Sequence, residues 1–290
     1  MRRVEEGVLM LTCALGQDVM PLAPAEFQYL AKMSAKCMPS MRTGELTVQF
    51  LCQLGYPKEQ AERIVSLIER EEVLEKYLAH PDLSVVTRVS EGFPARMRML
   101  GSHCPSVLFC KGDMSLLQTR CVALVGARDL PERNRAFAER VGTLAAQEGF
   151  TLVSGGAVGA DIAAQEACLA AGGKVICFVP DALKRYKLRE NVLYCSDEGW
   201  EFAFSASRAL RRNRFIHALG EKVFIARCTI PRGGTWSGTS YNLQHKLSEV
   251  YILDDNVEGA KVLTAMGAVT VQEDLQSIKD LIPSQLSIFD

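Results

Sequence analysis

The feature that most constrains the fold of this chain is a glycine-rich turn that joins a mainly apolar run to an alanine-rich segment. Residues 150–153 form the run, residues 154–159 read Ser-Gly-Gly-Ala-Val-Gly, and residues 162–171 are rich in alanine. This order predicts a strand, a tight turn and the start of a helix. Because the first N–H groups of a helix lack partners within it, and the helix dipole favours negative charge there, the turn predicts an anion site. A nucleotide cofactor, a substrate phosphate and a nucleic-acid backbone are the candidate anions.

The composition and charge of the chain are those of an ordinary globular protein. It has 290 residues, 48% hydrophobic and 23% charged, with a net charge of -1, which fits one large domain or two smaller ones. We expect a cytoplasmic protein, because no stretch approaches the roughly 18 apolar residues of a membrane helix and the first residues lack a signal-peptide pattern. The ten cysteines include no C-x-x-C pair, which predicts reduced thiols and no metal site or disulfide framework. Because the net charge is so small, nucleic acid would have to bind through a local basic patch.

The first part of the chain, residues 1–83, predicts a small helical domain. Helical patterns cover residues 24–33, 43–54 and 58–80, and an apolar run covers 8–15. Residues 51–57, followed by Ala61 and Ile64, resemble a helix-hairpin-helix unit, which holds a DNA backbone through a glycine turn. A SAM-like helical bundle used only for packing is the other interpretation, and it is the one we favour.

From residue 84 onward, short β-rich runs alternate with helical patterns. The predicted strands are residues 84–87, 107–110, 121–125, 151–154, 174–179, 222–226, 250–253 and 269–271. The predicted helices are residues 134–148, 162–171, 205–219, 240–247 and 257–266. This alternation predicts an α/β fold with a mostly parallel sheet covered on both faces. Ligands of such sheets bind beyond the carboxyl ends of the strands.

Glycine and arginine residues follow several predicted strands at that same edge, and more arginines lie in the helix 205–219. Backbone N–H groups and hydroxyls would surround phosphate oxygens, while arginines would supply charge and fork-shaped donors. The candidate phosphate-binding residues are Arg128, Ser154, Gly155, Gly156, Arg212, Asn213, Arg214, Gly233, Gly234 and Thr235. Taken singly, the glycines fit simple turns, the arginines fit a solvated helix face, and Asp161 fits a helix cap. The number of these elements, and their shared place at strand ends, favours a binding site.

Several common nucleotide and enzyme sites are excluded by their missing motifs. The turn after residue 125 lacks the G-x-G-x-x-G fingerprint of dinucleotide sites, and the Gly-Lys-Ser/Thr of the Walker pattern is absent. None of the four histidines has an obvious nucleophile partner, so we interpret them as structural: His80, His103, His217 and His245. We therefore expect a binding protein without catalytic activity, resident cofactor or metal.

The ordered set of motifs resembles the DNA-processing protein A (DprA/Smf) family. That family shows V-G-S-R, S-G-x-A-x-G-x-D and R-N-R followed by an apolar pair, and then a Gly/Ser-rich turn after a strand. The matching segments here are residues 125–128, 154–161, 212–216 and 233–239, and a segment similar to the family's opening one lies at 93–113. The resemblance covers about residues 84–255. Gln165 stands where the family has His, and residues 253–255 replace a Pro-Gly pair.

The resemblance implies an extended Rossmann-like domain that binds single-stranded DNA through phosphates. It also implies protection of that DNA and loading of the RecA recombinase in DNA uptake or recombination, including natural transformation. By the match, Arg128, Ser154, Gly155, Gly156, Arg212 and Arg214 would line the DNA pocket, whereas Gly159 and Asp161 would shape the turn and helix start. Tyr186 or Trp236 could stack on bases, and we expect a homodimer.

A nucleotide-binding or phosphoribohydrolase-like protein of the same superfamily is the alternative function. Phosphoribohydrolases of the lonely-guy type carry P-G-G-x-G-T-x-x-E, and residues 231–239 are similar to its first part. The position of the catalytic Glu is Asn242, whose amide cannot act as a carboxylate base. That replacement counts against the enzyme.

The end of the chain resembles the pentapeptide by which bacterial replication and repair proteins bind the sliding clamp. Its residues are Gln285, Leu286, Ser287, Ile288 and Phe289. An apolar terminus folded onto the body is the alternative. The predicted domains are therefore residues 1–83, 84–272 and a tail of 273–290.

Overall fold

A computed structural model describes residues 3–37 and 46–281 of the protein. Helices precede the first strand of this described part: α1 (Arg3–Thr12), α2 (Pro24–Cys37), α3 (Val48–Gln53), α4 (Lys58–Ile68) and α5 (Glu71–Leu78). Among the described helices, none combines the length and apolar character that crossing a membrane requires. The cysteines of this part form no disulfide, and all of them except Cys52 are buried where their side chains are described.

Within the described residues, the rest of the chain forms one nine-stranded sheet with helices on both faces. The strands are β1 (Ser84–Thr87), β2 (Val107–Lys111), β3 (Cys121–Val125), β4 (Thr151–Ser154), β5 (Lys174–Phe178), β6 (Val192–Ser196), β7 (Lys222–Ile225), β8 (Glu249–Leu253) and β9 (Val269–Val271). The helices are α6 (Glu132–Gln147), α7 (Ala160–Ala170), α8 (Ala206–Leu219), α9 (Gly234–His245) and α10 (Glu258–Ala265). The short 3₁₀ segments are Ala95–His103, Met114–Gln118 and Leu183–Arg185.

The strand order, β1-β2-β6-β5-β4-β3-β7-β8-β9, places β3 between β4 and β7. The two pairings of β2 are antiparallel, and all pairings from β6 to β9 are parallel. On one side of the sheet, β3, β4, β5 and β6 follow one another outward; on the other side, β7, β8 and β9 do so. The order therefore reverses between β3 and β7, and a crevice at such a point is where parallel sheets bind ligands. The predicted α/β class with a mostly parallel, Rossmann-like sheet is confirmed.

Two hydrophobic clusters cover the two faces of the sheet, and β3 contributes to both. Val122 and Leu124 belong to the cluster under α6 and α7, while Ala123 and Val125 belong to the cluster under α8 and α10. Both faces of β3 are therefore buried, which explains its uninterrupted apolar sequence.

The N-terminal helices pack on the same hydrophobic cluster as α6 and α7. A buried guanidinium ties them together: Arg70 donates to the carbonyl oxygens of Leu67 and Ala14, both at 3.0 Å, and of Cys13 at 2.9 Å. It thereby satisfies carbonyl groups that the end of α1 leaves without helical partners. The division of the chain at 83/84 stays a prediction.

The structure departs from the predicted elements at strand β6 and at the start of helix α9. Strand β6 was not predicted, because its apolar stretch is short and follows the charged segment 184–190. Helix α9 begins at Gly234 and not at residue 240, although glycine disfavours helix. Its glycines are explained by packing, since a Cβ on Gly238 would lie 3.0 Å from the His217 ring of α8.

The described part of the predicted tail, residues 273–281, packs on the body of the protein. Leu275 and Ile278 are buried, and the carboxylate of Glu148 accepts from the N–H groups of Ile278 and Lys279, both at 2.8 Å. The predicted clamp-binding peptide, residues 285–289, lies outside the described residues.

Replacing Gly142 by Ala tests the close packing of α6 on α7. A Cβ there would overlap the carbonyl oxygen of Ala164, so we expect Gly142→Ala to lower the free energy of unfolding by about 1–3 kcal/mol. Gly7 in α1 is the matched control, because a Cβ there meets nothing within 4 Å; Gly7→Ala should stabilise by up to about 1 kcal/mol. Urea unfolding measures both, and an unchanged midpoint for Gly142→Ala would contradict this packing.

Candidate functional site

A cleft of about 520 Å³ lies beyond the carboxyl ends of β3 and β7, where the strand order reverses. The turn after β3, the inward face of α8 and the turn before α9 line it. Within residues 3–37 and 46–281, its charged lining residues are Arg128, Asp161, Arg212 and Arg232. Three arginines against one carboxylate make the cleft cationic although the whole chain carries a charge of -1.

Arg212 is the most constrained of these arginines. Its side chain leaves α8 and lies on the backbone of Gly155, where a Cβ would overlap the guanidinium. The residue is only 7% exposed, yet its Nε and Nη1 have no hydrogen-bond partner among the described residues. Buried polar groups are normally paired, so these two donors mark a place for an acceptor from outside the chain.

Asp161, in the first turn of α7, fills the anion site that the sequence predicts at the glycine-rich turn. Its carboxylate accepts from the N–H of Ala157 at 3.2 Å. Burial raises the pKa of Asp161, while the charge of Arg212 and hydrogen bonds from the turn oppose that rise. The carboxylate therefore holds the turn closed and balances part of the Arg212 charge.

The same turn packs tightly against the turn after β3. The N–H of Ala160 donates to the carbonyl oxygen of Ala127 at 3.2 Å, which uses a donor at the start of α7. Gly159 has a φ of +91°, and a Cβ there would overlap the carbonyl oxygen of Arg128, so only glycine suits this approach. Ser154, Gly155 and Gly156 do not line the cleft; Gly155 supports Arg212 from beneath.

The start of α9 supplies the opposite wall of the cleft. Gly233 has a φ of +105° and is exposed, and the side-chain hydroxyl of Thr235 donates to the carbonyl oxygen of Gly126 at 3.0 Å. The first helical bond runs from Ser237 N–H to Gly233 at 3.1 Å. The N–H groups before it have no helical partner and favour an anion at this end of α9.

The arginines on either side of Arg212 point elsewhere. Arg214 does not line the cleft: its guanidinium lies 4.5 Å from the ring centroid of Tyr241 and 3.2 Å from His103 Nδ1. Arg211 forms an ion pair with Asp197, with 2.6 Å between Nε and Oδ2. Of the predicted phosphate-binding residues, the structure brings Arg128, Arg212, Asn213, Gly233, Gly234 and Thr235 together in the cleft.

The two aromatic residues suggested for base stacking also lie outside the lining. Tyr186 donates to Asp181 at 2.5 Å and packs on Tyr194 with 5.0 Å between ring centroids. Trp236 is half-buried and packs against the cluster under α8 and α10.

His217 lies in the cleft lining and is fully buried. Its Nδ1 lies 3.1 Å from Nδ2 of Asn242, and that amide also bonds to Ser248. Burial lowers the pKa of His217 to about 3, so the ring is neutral at ordinary pH. Asn242 is thus buried in a hydrogen-bond network with His217 and Ser248.

Sequence reasoning missed Arg232 and His217 as cleft residues. The signal for His217 was its spacing, four residues after Asn213 on the same helix, which places both on one face. Within residues 3–37 and 46–281, no three His, Cys, Asp or Glu side chains lie together as a metal ion would need.

A cavity of about 430 Å³ includes Gly55 and Tyr56 of the stretch that resembles a helix-hairpin-helix unit. Among the described residues, Glu26 is the one charged residue that lines this cavity, and no arginine or lysine lines it. Ala61 and Ile64 are fully buried. These observations favour packing over DNA contact for the N-terminal helices.

Comparison with known proteins gives a consistent set of similarities. The model of the family described as DNA recombination-mediator protein A matches residues 84–282. Protein Smf of Borreliella burgdorferi is 25% identical over 231 residues, which cover 72% of this chain and 69% of that protein. DNA processing protein DprA of Streptococcus pneumoniae is 33% identical over 144 residues, or 44% of this chain and 49% of that protein.

Two solved structures share the fold. The X-ray structure of DprA from S. pneumoniae has a TM-score of 0.69 at 21% identity, covering 87% of this chain and 95% of that one. The structure of DNA processing protein A from Helicobacter pylori, described for its single-stranded DNA binding mode, has a TM-score of 0.57 at 25% identity. It covers 66% of this chain and 91% of that one.

The buried His217 predicts an acid-dependent loss of stability. Its pKa of about 3 lies below the ordinary 6.5, so below pH 6.5 the unfolded chain binds a proton that the folded chain does not. Stability therefore falls as the pH decreases from 6.5, by up to about 1.4 kcal/mol per pH unit. Urea unfolding of wild type and His217→Gln at pH 7, 6 and 5 should show the variant losing less stability; parallel losses would contradict the assignment.

Proposed function

The chain belongs to the DNA recombination-mediator protein A (DprA/Smf) family, and on this premise we propose that it binds single-stranded DNA through phosphates in the cleft between β3, β7 and α8. It acts by binding, without catalysing a reaction. The H. pylori relative, described for its single-stranded DNA binding mode, supports this proposal.

The observation that carries the proposal is the buried Arg212 guanidinium with two unpaired nitrogens. A phosphate offers several acceptor oxygens and a charge, and a guanidinium binds such groups through parallel N–H bonds. Arg128 and Arg232 are exposed in the same cleft and would contact neighbouring phosphates of the strand. Contacts to phosphates are the same for every base, so we expect little sequence preference.

A single small nucleotide is the second candidate ligand. Arg212 and His217 are buried residues of the cleft lining, which would suit one phosphate group. A thermal-shift comparison separates the two. Stabilisation by oligothymidylate, with little effect of mononucleotides at matched phosphate concentration, supports DNA; the reverse order supports the small nucleotide.

We further propose that the bound strand is protected and passed to the RecA recombinase, with the protein acting as a cytoplasmic homodimer. The family's description as a recombination mediator supports this step. Binding to the sliding clamp through residues 285–289 stays a prediction, and loss of clamp binding on their deletion would support it.

Replacing Arg212 by Ala should weaken binding to oligothymidylate about 10- to 100-fold, because one charged hydrogen-bonding group is lost. The dependence of log K on log salt should also become shallower by about 0.7. Fluorescence anisotropy at two salt concentrations measures both. Arg120→Ala is the matched control. Arg120 is exposed and ion-paired with Glu221, and these two residues precede β3 and β7, at the ends of the strands away from the cleft. Equal affinities for the two variants would contradict the proposal.

Gly155→Ala tests the same guanidinium without changing any charge. Its Cβ would overlap the flexible end of Arg212, so the side chain must move while the fold persists. We expect an affinity loss of about tenfold, comparable with one charged hydrogen bond. Circular dichroism checks the fold, and wild-type DNA affinity in a folded Gly155→Ala protein would show that the position of Arg212 is unimportant.

A further inference from the structure

His217 is a buried residue of the cleft lining. The phosphate contacts proposed for Arg212 give it no role. It is 0% exposed, lies one turn of α8 beyond Asn213, and lines the cleft. Its Nε2 has no hydrogen-bond partner among the described residues. Whether that nitrogen donates or accepts depends on the groups around Nδ1.

The network around Asn242 determines which nitrogen of His217 carries the proton. The N–H of Ser248 can only donate, and it does so to Asn242 Oδ1 at 3.0 Å. This contact fixes the orientation of the amide, so Asn242 Nδ2 faces both Ser248 Oγ, at 2.7 Å, and His217 Nδ1, at 3.1 Å.

Ser248 removes the remaining ambiguity. Its hydroxyl donates to the carbonyl oxygen of His217 at 3.1 Å, so it accepts from Asn242. The second N–H of Asn242 then donates to His217 Nδ1, which must be the unprotonated nitrogen of a neutral ring. The proton is on Nε2, and Nε2 is therefore a buried donor without an acceptor.

The absence of a side chain at Gly238 leaves room for the edge of the His217 ring that carries Nε2. A Cβ there would lie 3.0 Å from Nε2 and 3.2 Å from Cβ of Asn213. Any larger residue at position 238 would press on this nitrogen, so the edge of the ring that carries Nε2 packs against α9 at a glycine.

Among the described residues that line the cleft, the buried side-chain atoms without partners are Arg212 Nε, Arg212 Nη1 and His217 Nε2, all N–H donors. The Watson–Crick edge of every base presents donors and acceptors together, whereas a phosphate presents acceptors only. The carboxylate of Asp161 is engaged with the turn through Ala157. Three N–H donors without acceptors, on two residues that line the cleft, therefore favour a phosphate group.

We infer that His217 Nε2–H is a fixed, neutral hydrogen-bond donor to a phosphate oxygen of the bound strand, held in that tautomer by Asn242 and Ser248. This inference rests on the proposed DNA binding and adds a specific residue to it. Because the ring donates as a neutral group, its contact needs no protonation at ordinary pH.

Two substitutions separate the donor from the packing role of His217. The amide nitrogen of Gln reaches about the place of Nε2, whereas Asn reaches only the place of Nδ1. We expect His217→Asn to weaken oligothymidylate binding about tenfold, as for one hydrogen bond to a charged group. His217→Gln should stay within about threefold of wild type, with both variants folded by near-ultraviolet circular dichroism. Equal losses, or no loss in His217→Asn, would overturn the inference.

Nitrogen-15 NMR of histidine-labelled wild type gives a readout that packing alone would not change. We expect His217 in the Nε2–H form, with its Hε2 resonance shifting on addition of oligothymidylate. An Nδ1–H form, or an unshifted resonance in the saturated complex, would overturn the inference. If Arg212→Ala loses affinity while both His217 variants bind normally, only this inference fails; if wild type binds no oligothymidylate, the proposed function fails as well.

Discussion

The contact between the Arg212 guanidinium and the bare backbone of Gly155 is the interaction on which the cleft depends. It places a charged group below the protein surface, beside the buried Asp161, while leaving Nε and Nη1 without partners. A buried charge is costly unless it is paired. Asp161 supplies the balancing charge but not the missing hydrogen bonds, because its carboxylate is engaged with the turn. The two unpaired nitrogens of Arg212 therefore favour an anion in the cleft, and the exposed Arg128 and Arg232 extend the positive potential outward.

The sheet makes this arrangement possible. Because the strand order reverses between β3 and β7, the turns after these strands diverge and leave a crevice that α8 closes from one side. Glycines then determine how closely the surrounding elements approach: Gly159 brings the turn after β4 onto the turn after β3, and Gly238 brings α9 onto His217.

The fold was largely predictable, and the detailed site was less so. Strand β3 could be predicted because parallel strands buried on both faces are continuously apolar, whereas β6 has a short apolar run beside charged residues. The sequence indicates a cluster of arginines at 211–214 but not their directions. The directions of these side chains follow from the rotation of α8 about its axis, which buries Phe215 and Ile216. Of the arginines at 211, 212 and 214, it brings only Arg212 into the cleft. Likewise, the turn 154–159 predicted an anion site, but its nearest anion is the chain's own Asp161, a contact that only the folded turn creates.

The most direct test of the central claim is a structure of the protein in complex with a single-stranded oligothymidylate. The account predicts a phosphate oxygen within hydrogen-bonding distance, about 2.7–3.2 Å, of Arg212 Nε or Nη1. It also predicts that the strand follows the cleft past Arg128 and Arg232. A strand bound to another face of the protein, with both nitrogens of Arg212 still unpaired, would contradict it.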